Sequence, residues 1–356
     1  MSSPRLLVTG AGGSAAANFI EALTLGRPEV YVVGTDISPY HLELSLANAT
    51  YLVPPVTDPG YLDAINDVID HEHIDFIHVQ PDVEVAFLAE HRGKIHAPMF
   101  MPPASEIQLC HDKMKFHDVL KKAGVGVPEA YLLDTPAKLT AAVSQLLSSH
   151  ERVWVRAIRG AGSKASLPVQ SAVQAQAWLD YWTNYKGLQP GDFMASQFLP
   201  GREFAWQSLW HKGQLVTSQA RERVEYIFGQ LTPSGQSSSP SVARTINRDD
   251  VNTVGEAAVR AVSAAPHGVY GVDMKEDESR RPLITEINIG RFYTTSNFFA
   301  HAGLNIPELY LRYGLGESIV SPPLLYNSLP DDLYWLRMVD MGYKLVKGDA
   351  WRAGKL

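Results

Sequence analysis

Between Arg5 and about Pro103 the chain alternates short apolar runs with helical stretches, and that alternation restricts the fold more than any other feature. The order is RLLVTG, SAAANFIEALTL, VYVVGTD, YLDAINDVIDHE and IDFIHVQ. It reads as β-α-β-α-β, so the strands lie parallel and the helices cover the faces of their sheet. Ligands of such sheets gather at the carboxyl ends of the strands. Three polar groups fall there: the Gly10 to Ser14 turn, Asp36 after VYVVGT, and the cluster Gln80, Asp82 and Glu84 after IDFIHV.

The GAGGS turn opens a helix, the place where a dinucleotide pyrophosphate meets free backbone N–H groups. Gly10, Gly12 and Gly13 are present, but alanines follow where the GxGxxG pattern has its last glycine. Asp36 ends the second strand and keeps a nicotinamide-dependent oxidoreductase in play. Equally, glycines permit a tight strand-to-helix turn whatever binds there.

Further on, MPPASEI around Pro102 and Pro103 reads as a linker, and Cys110 to Ala123 as one helix ended by Gly124. VWVRAIRGAGSKASLPV then reads as strand, glycine-rich loop, strand, followed by a helix around Ala172 to Tyr185. Extended structure resumes from Phe193 to Phe204 across the turn Pro200-Gly201. The loop Arg159 to Lys164 lacks P-loop spacing. Gly160 and Gly162 nevertheless let N–H groups converge on an anion, and Ser163 adds a hydroxyl. Arg156 is a cation in an otherwise apolar strand, which calls for a nucleotide phosphate or a structural ion pair. Thr232 to Ser241, TPSGQSSSPS, is either a loop over a site or surface slack, and Thr294 to Gly303 is either a helix start or a wall of an acceptor pocket.

The segment Gly271 to Arg291, GVDMKEDESRRPLITEINIGR, carries the densest chemistry. Val269 to Met274 and Pro282 to Ile289 read as strands joined by a charged turn. Side chains alternate along a strand, so Glu286 and Asn288 share a face, and a hairpin brings Asp273 beside them. Oxygen donors of this kind suit Mg²⁺, which completes its octahedron with water and nucleotide phosphates. Read alone, the same residues also describe a solvated hairpin.

The 356 residues carry 31 Lys and Arg against 38 Asp and Glu, a formal net charge of −7 with no clustered basic stretch, which argues against a nucleic-acid partner. Cys110 is the only cysteine, so neither an intrachain disulfide nor a Cys-based zinc site is expected. No run approaches a membrane span and no signal-peptide pattern opens the chain, so a cytoplasmic location and no membrane partner are expected.

Taken in order, these pieces resemble the ATP-grasp superfamily, and within it the carbamoyl-phosphate-synthetase-like carboxylate-amine ligases, over about residues 4 to 320. The matching motifs are CHDKMKFHDVLKKAGVGVPEA with Lys113, VRAIRGAGSKA with Arg156, SQFLPGREF with Glu203, VDM with Asp273, and EIN with Glu286 and Asn288. The resemblance implies an α/β chain: a Rossmann-like pre-ATP-grasp domain at 1–105, then a two-lobed α+β ATP-grasp domain. The latter comprises a linker helix and lid at 106–195 and a core with the metal site at 196–320, followed by a C-terminal extension at 321–356. Two departures are visible. Gln197 stands where many members carry an acid, and EINIGR has one residue more than the commoner EINPR before Arg291. A single grasp unit without a glutaminase-like segment argues against the expectation of a complete carbamoyl-phosphate synthetase.

By the same resemblance, Lys113, Arg156, Gly160, Gly162 and Ser163 face the phosphates. Gln197, Phe198 and Leu199 form the adenine hinge, and Glu203 takes the ribose. Asp273, Glu286 and Asn288 hold Mg²⁺, or Mn²⁺ in its place. Arg291 and Arg223 orient the substrate carboxylate or the acyl phosphate, with Arg221 in place of Arg223 if the strand register shifts. Glu84 and Asp82 meet the ammonium of an amino-acid-like substrate, or Asp82 caps the following helix. The expected cofactors are ATP and Mg²⁺, and the expected partners a small-molecule carboxylate and an amine. Monomer and homodimer both stay open. A nucleotide-binding protein without turnover is the third class of function.

Overall fold

The computed structural model describes residues 3–160, 165–237, 239–319, 324–339 and 342–347. Strands β1 (Arg5–Thr9), β2 (Tyr31–Asp36), β3 (Ala49–Leu52) and β4 (Phe76–His78) form a parallel sheet in the order β3-β2-β1-β4. Leu7 sits in register between Val33 and Ile77. Leu6 and Val8 point to one face, onto Phe19, Ile20 and Leu23 of the helix Ser14–Gly26. Leu7 points to the other, in one core with Tyr61, Ile65 and Ile69 of the helix Tyr61–His71. A strand buried on both faces must be apolar throughout, which is why RLLVT shows no polar alternation.

A second, antiparallel sheet has the order β5-β8-β6-β7, built from β5 (Ala130–Leu132), β6 (Val153–Ala157), β7 (Leu167–Val169) and β8 (Phe193–Gln197). The helices Pro136–Leu147 and Ala172–Lys186 close its core through Leu139, Val143, Leu146, Ala175 and Leu179. The third sheet is antiparallel and seven-stranded, in the order β13-β12-β9-β10-β11-β14-β15. Its strands are β9 (Glu203–His211), β10 (Gln214–Tyr226), β11 (Pro240–Ile246), β12 (Gly268–Glu276), β13 (Pro282–Ile289), β14 (Leu333–Met338) and β15 (Gly342–Lys347). The helix Asp249–Val262 covers one face, burying Val251, Ala258, Val259 and Val262 at helical spacing against Phe204 and Trp206. Each fully buried valine among them contributes about 1.5–3 kcal/mol.

Two sequence expectations need correction. The stretch Cys110 to Ala123 is two helices, Ala104–His111 and Lys113–Lys122, because Asp112 adopts extended backbone angles and its carboxylate accepts the Lys115 N–H at 3.1 Å. An N-cap inside the pattern ends one helix and starts the next. Much of the expected linker MPPASEI is therefore helical. The C-terminal tail contributes the hairpin β14-β15, which extends the large sheet from β11 through Val242 opposite Leu336. Among the described residues no helix is long and apolar enough to cross a membrane.

Candidate active site

The carboxylates come together through strand register. In the β12-β13 pair Asp273 lies opposite Glu286 and Gly271 opposite Asn288, so all three polar side chains emerge on one face. Asn288 Nδ2 donates to Asp273 Oδ2 at 3.2 Å. Burial pushes the Asp273 carboxyl above its ordinary value, against the pull of Arg223. Glu286 moves the other way: burial opposes its charge, but Lys113, Arg156 and Arg291 outweigh that and hold its carboxyl low.

The cations arrive from other elements. Lys113 is the first residue after the Asp112 cap; its N–H donates to the Ile158 carbonyl and its Nζ to the Gly160 carbonyl at 2.9 Å, with Glu286 Oε2 at 3.4 Å. Arg156 on β6 donates to the Thr285 carbonyl at 2.7 Å and lies 3.7 Å from Glu286. From β10, Arg223 donates to Glu203 at 2.9 Å and to Asp273 at 2.7 Å. Glu203 also receives the Tyr226 hydroxyl and, at 2.8 Å, the Gln236 amide. Beside it the hinge places Phe198 within 6.4 Å of Trp154, buries Leu199, and leaves the Gln197 amide 3.4 Å from Glu278.

These groups line one cavity of about 450 Å³ bounded by all three sheets. Six cationic and four acidic side chains face it. A positive surplus inside an acidic chain selects for anionic ligands. Lys113, Arg156, Gly160, Gln197, Phe198, Leu199, Glu203, Arg223, Asp273, Glu286, Asn288, Arg291 and Asp82 all contribute to its wall. Gly162 and Ser163 lie outside the described residues.

Glu84 does not reach the cavity. It is buried near Thr9 and Tyr61, where loss of solvent pushes its carboxyl up. Asp82 lines the cavity but neither caps its helix nor stands free, because the Arg291 guanidinium grips both its oxygens, Nη2 at 3.0 Å. Arg291 also reaches Asn288 Oδ1 at 2.5 Å, linking the parallel sheet to the metal-type acids. Arg221 and Arg223 are not alternatives: both line the cavity, being two residues apart on one strand.

The dinucleotide reading finds no support in the GAGGS turn. Asp36 accepts the Gly12 N–H at 3.1 Å and the Ser38 N–H at 3.0 Å, so it organises the loop. His41 packs over Gly12, where a pyrophosphate would have to approach.

Sequence reasoning missed Tyr226, Lys275 and Tyr293, all in the cavity wall, while Gln236 comes from the Thr232 to Ser241 segment left open as a loop over a site or surface slack. For Tyr293 a signal existed in Gly271: a Cβ there would lie 2.6 Å from the Tyr293 ring. Thr294 also lines the cavity, whereas Phe298 and Phe299 of the helix Ser296–His301 are core.

Oxygen donors from Asp273, Glu286 and Asn288 are chemically suited to a hard divalent cation. Among the described residues no three His, Cys, Asp or Glu side chains gather as a self-sufficient metal cage. A cation here would draw the rest of its shell from phosphates and water.

Comparison with known proteins places this architecture. The chain has the ATP-grasp fold, with a parallel α/β unit in front of the two antiparallel sheets. Residues 6–99 match the family model for the PylC-like N-terminal domain. The biotin carboxylase domain of Hydrogenobacter thermophilus 2-oxoglutarate carboxylase, solved with MgADP and bicarbonate, superposes with TM-score 0.69 at 15% identity, over 94% of this chain and 74% of that one. Carboxyaminoimidazole ribonucleotide synthase of Aspergillus clavatus, solved with ATP, gives 0.67 at 18% identity, over 94% and 82%. L-amino acid ligase of Bacillus licheniformis gives 0.66 at 15% identity, over 94% and 79%. No curated protein matches by sequence.

Proposed function

We propose that the protein is an ATP-dependent ligase that activates a carboxylate as an acyl phosphate and joins it to an amine, releasing ADP and phosphate. The observation that carries this is the meeting of Asp273, Glu286 and Asn288 with Lys113 and Arg156 across one cavity. The solved structures of similar fold, one with ATP and one with MgADP, supply the nucleotide.

In this reading the triphosphate lies between β6 and the β12-β13 pair. Lys113 and Arg156 exchange Glu286 for phosphate oxygens, and Glu203 takes the ribose. Phosphoryl transfer asks little covalent work of protein side chains, so positioned cations supply most of the rate. A bound Mg²⁺, held by Asp273, Glu286 and Asn288, would neutralise charge on the β- and γ-phosphates. The substrate carboxylate oxygen attacks the γ-phosphorus and ADP leaves; the amine then attacks the acyl carbon, phosphate leaves, and the amine proton passes to solvent. Arg291, pre-aligned by Asp82 and Asn288, steadies the carboxylate through both steps.

The test is a screen for Mg-ATP-dependent phosphate release over carboxylate and amine pairs, with product masses recorded. Release that requires both substrates, with a product lighter by water than their sum, is expected. Nucleotide binding without release from any pair would leave a binding protein and overturn the ligase.

A further inference from the structure

Among the described residues, nine of the ten charged side chains lining the cavity make an ion pair, and Arg221 makes none, feeling the Asp273 carboxylate only at longer range. It is 1% exposed, and its Nε and Nη1 make no hydrogen bond. Its guanidinium rests 5.0 Å from the centre of the Tyr293 ring. A buried cation without an anion is costly, and the stacking recovers only part of that cost. Burial and the neighbouring Arg223 lower its pKa to about 9, which still leaves it charged at neutral pH.

Position separates Arg221 from the ribose acid and sets it in the row of the metal-type acids, because Ala205, its partner on β9, lies opposite Asp273 on β12. Arg223 pairs in register with Glu203, whereas Arg221 pairs with Ala205. It therefore stands two residues, about 7 Å, further along the strand and away from the ribose acid.

The same cavity is lined by the start of the helix Ser14–Gly26. Its cap residue, Gly13, has no side chain to offer, and no acid occupies the first turn. The Gly13 N–H turns back to Gly10 and intrahelical bonding begins at the Ala17 N–H, so the N–H groups of Ser14, Ala15 and Ala16 have no backbone acceptor. Gly13, Ser14, Ala15 and Ala16 all line the cavity. Tyr293 and Thr294 tie the two features together: Arg221 lies over Tyr293, and the Asn18 amide donates to the Thr294 carbonyl. An uncapped 13-residue helix and a buried, unpaired guanidinium thus face one space. Both favour an oxyanion, one through free N–H groups and dipole, the other through charge.

We infer that Arg221 and the N-terminus of the helix Ser14–Gly26 form an oxyanion subsite, occupied by a carboxylate or phosphate that one substrate carries in addition to its reacting group. Assigning that anion to a substrate rests on the ligase reading; the subsite rests only on Arg221 and the helix. It excludes simple monofunctional acids and amines as the preferred pair.

The experiment uses the full chain saturated with Mg²⁺ and a non-hydrolysable ATP analogue, so that the triphosphate positions are filled. Inorganic phosphate and glutarate are then titrated calorimetrically, with acetate as the single-charge control. Wild type is expected to bind phosphate or glutarate more tightly than acetate; phosphate alone indicates a phosphorylated substrate, glutarate alone a second carboxylate. Arg221→Gln should weaken that binding about tenfold or more. Ser14→Asp covers the case in which the arginine variant misfolds: an acid in the first turn stabilises a helix but repels the anion. It should show the same loss while still binding the nucleotide analogue. Failure of wild type to bind either dianion, or equal binding by both variants, overturns the subsite. Failure to bind the nucleotide analogue overturns the ligase reading instead, and the anion titration then proceeds without nucleotide.

Discussion

Lys113 Nζ lies 3.4 Å from Glu286 Oε2, although one opens a helix that follows the parallel α/β unit and the other sits on an outer strand of the large sheet. Lys113 simultaneously donates to the Gly160 carbonyl at the start of the glycine-rich loop. A single ammonium thus bridges the loop and the metal-type acids. Its charge is balanced by Glu286, and under the proposed function each of these contacts would be exchanged for a phosphate oxygen. Arg223, shared between Glu203 and Asp273, does the same on the opposite wall.

Replacing Glu286 by Gln separates binding from turnover. The variant should form no ADP in a coupled assay yet keep part of its affinity for ATP, since the hinge, Glu203 and the cations remain. Without nucleotide it leaves Lys113 and Arg156 short of their acid, so its unfolding free energy should fall by on the order of 3 kcal/mol. Full turnover in this variant would remove the metal role assigned to Glu286.

The Arg291–Asp82 fork gives a graded pair. Arg291→Ala should reduce kcat by about 10²–10³ if the guanidinium steadies the acyl phosphate. Asp82→Asn keeps Arg291 and removes only its aligning partner, so a loss of at most about tenfold is expected, seen mainly as a raised KM for the carboxylate. Equal losses in the two variants would show that Asp82 itself touches substrate.

Ligand-induced stabilisation distinguishes the nucleotide classes. Mg-ATP at a hundredfold excess over Kd should add about 2.7 kcal/mol to stability, visible as a raised Tm, whereas NAD(P) should add nothing. The packing of His41 over Gly12 and the engagement of Asp36 by two backbone N–H groups are the reason. A response to NAD(P) alone would reverse this.

What could be read from the sequence follows the range of the interactions. Asp273, Glu286 and Asn288 were legible because strand alternation and one hairpin suffice to bring them together. Sequence proximity does not carry Glu84 into the site with Asp82: the two are two residues apart, about 200° around the helix axis, so they face opposite ways. The break at Asp112 was hidden because no Gly or Pro marks it. Arg221 and Arg223 looked like alternatives only while their strand was unregistered. The pairing of β14 with β11 joins segments some ninety residues apart, and local pattern carries no trace of it.

Glu276 fastens the hinge on which the adenine would rest. Its carbonyl accepts the Gly201 N–H at 3.1 Å, and its carboxylate receives Arg202 at 3.0 Å and Arg248. Burial alone would raise this carboxyl, but the hydrogen bonds from Arg202 and Arg248 outweigh it and hold it below the ordinary 4.5. A depressed carboxyl stabilises the fold fully above 4.5 and loses that contribution as pH falls through its lower folded value. Glu276→Gln should therefore cost about 2 kcal/mol at neutral pH and remove part of the acid-side decline in stability. Gly201→Ala tests the same hinge sterically, because a Cβ there would lie 2.5 Å from Glu276 Cβ and 3.0 Å from its carbonyl oxygen. The chain must shift to admit it, at about 1–3 kcal/mol. Because Phe198 and Leu199 shift with the hinge, KM for ATP should rise more than kcat falls. An alanine variant with unaltered stability and unaltered KM would show that this turn neither carries strain nor positions the nucleotide.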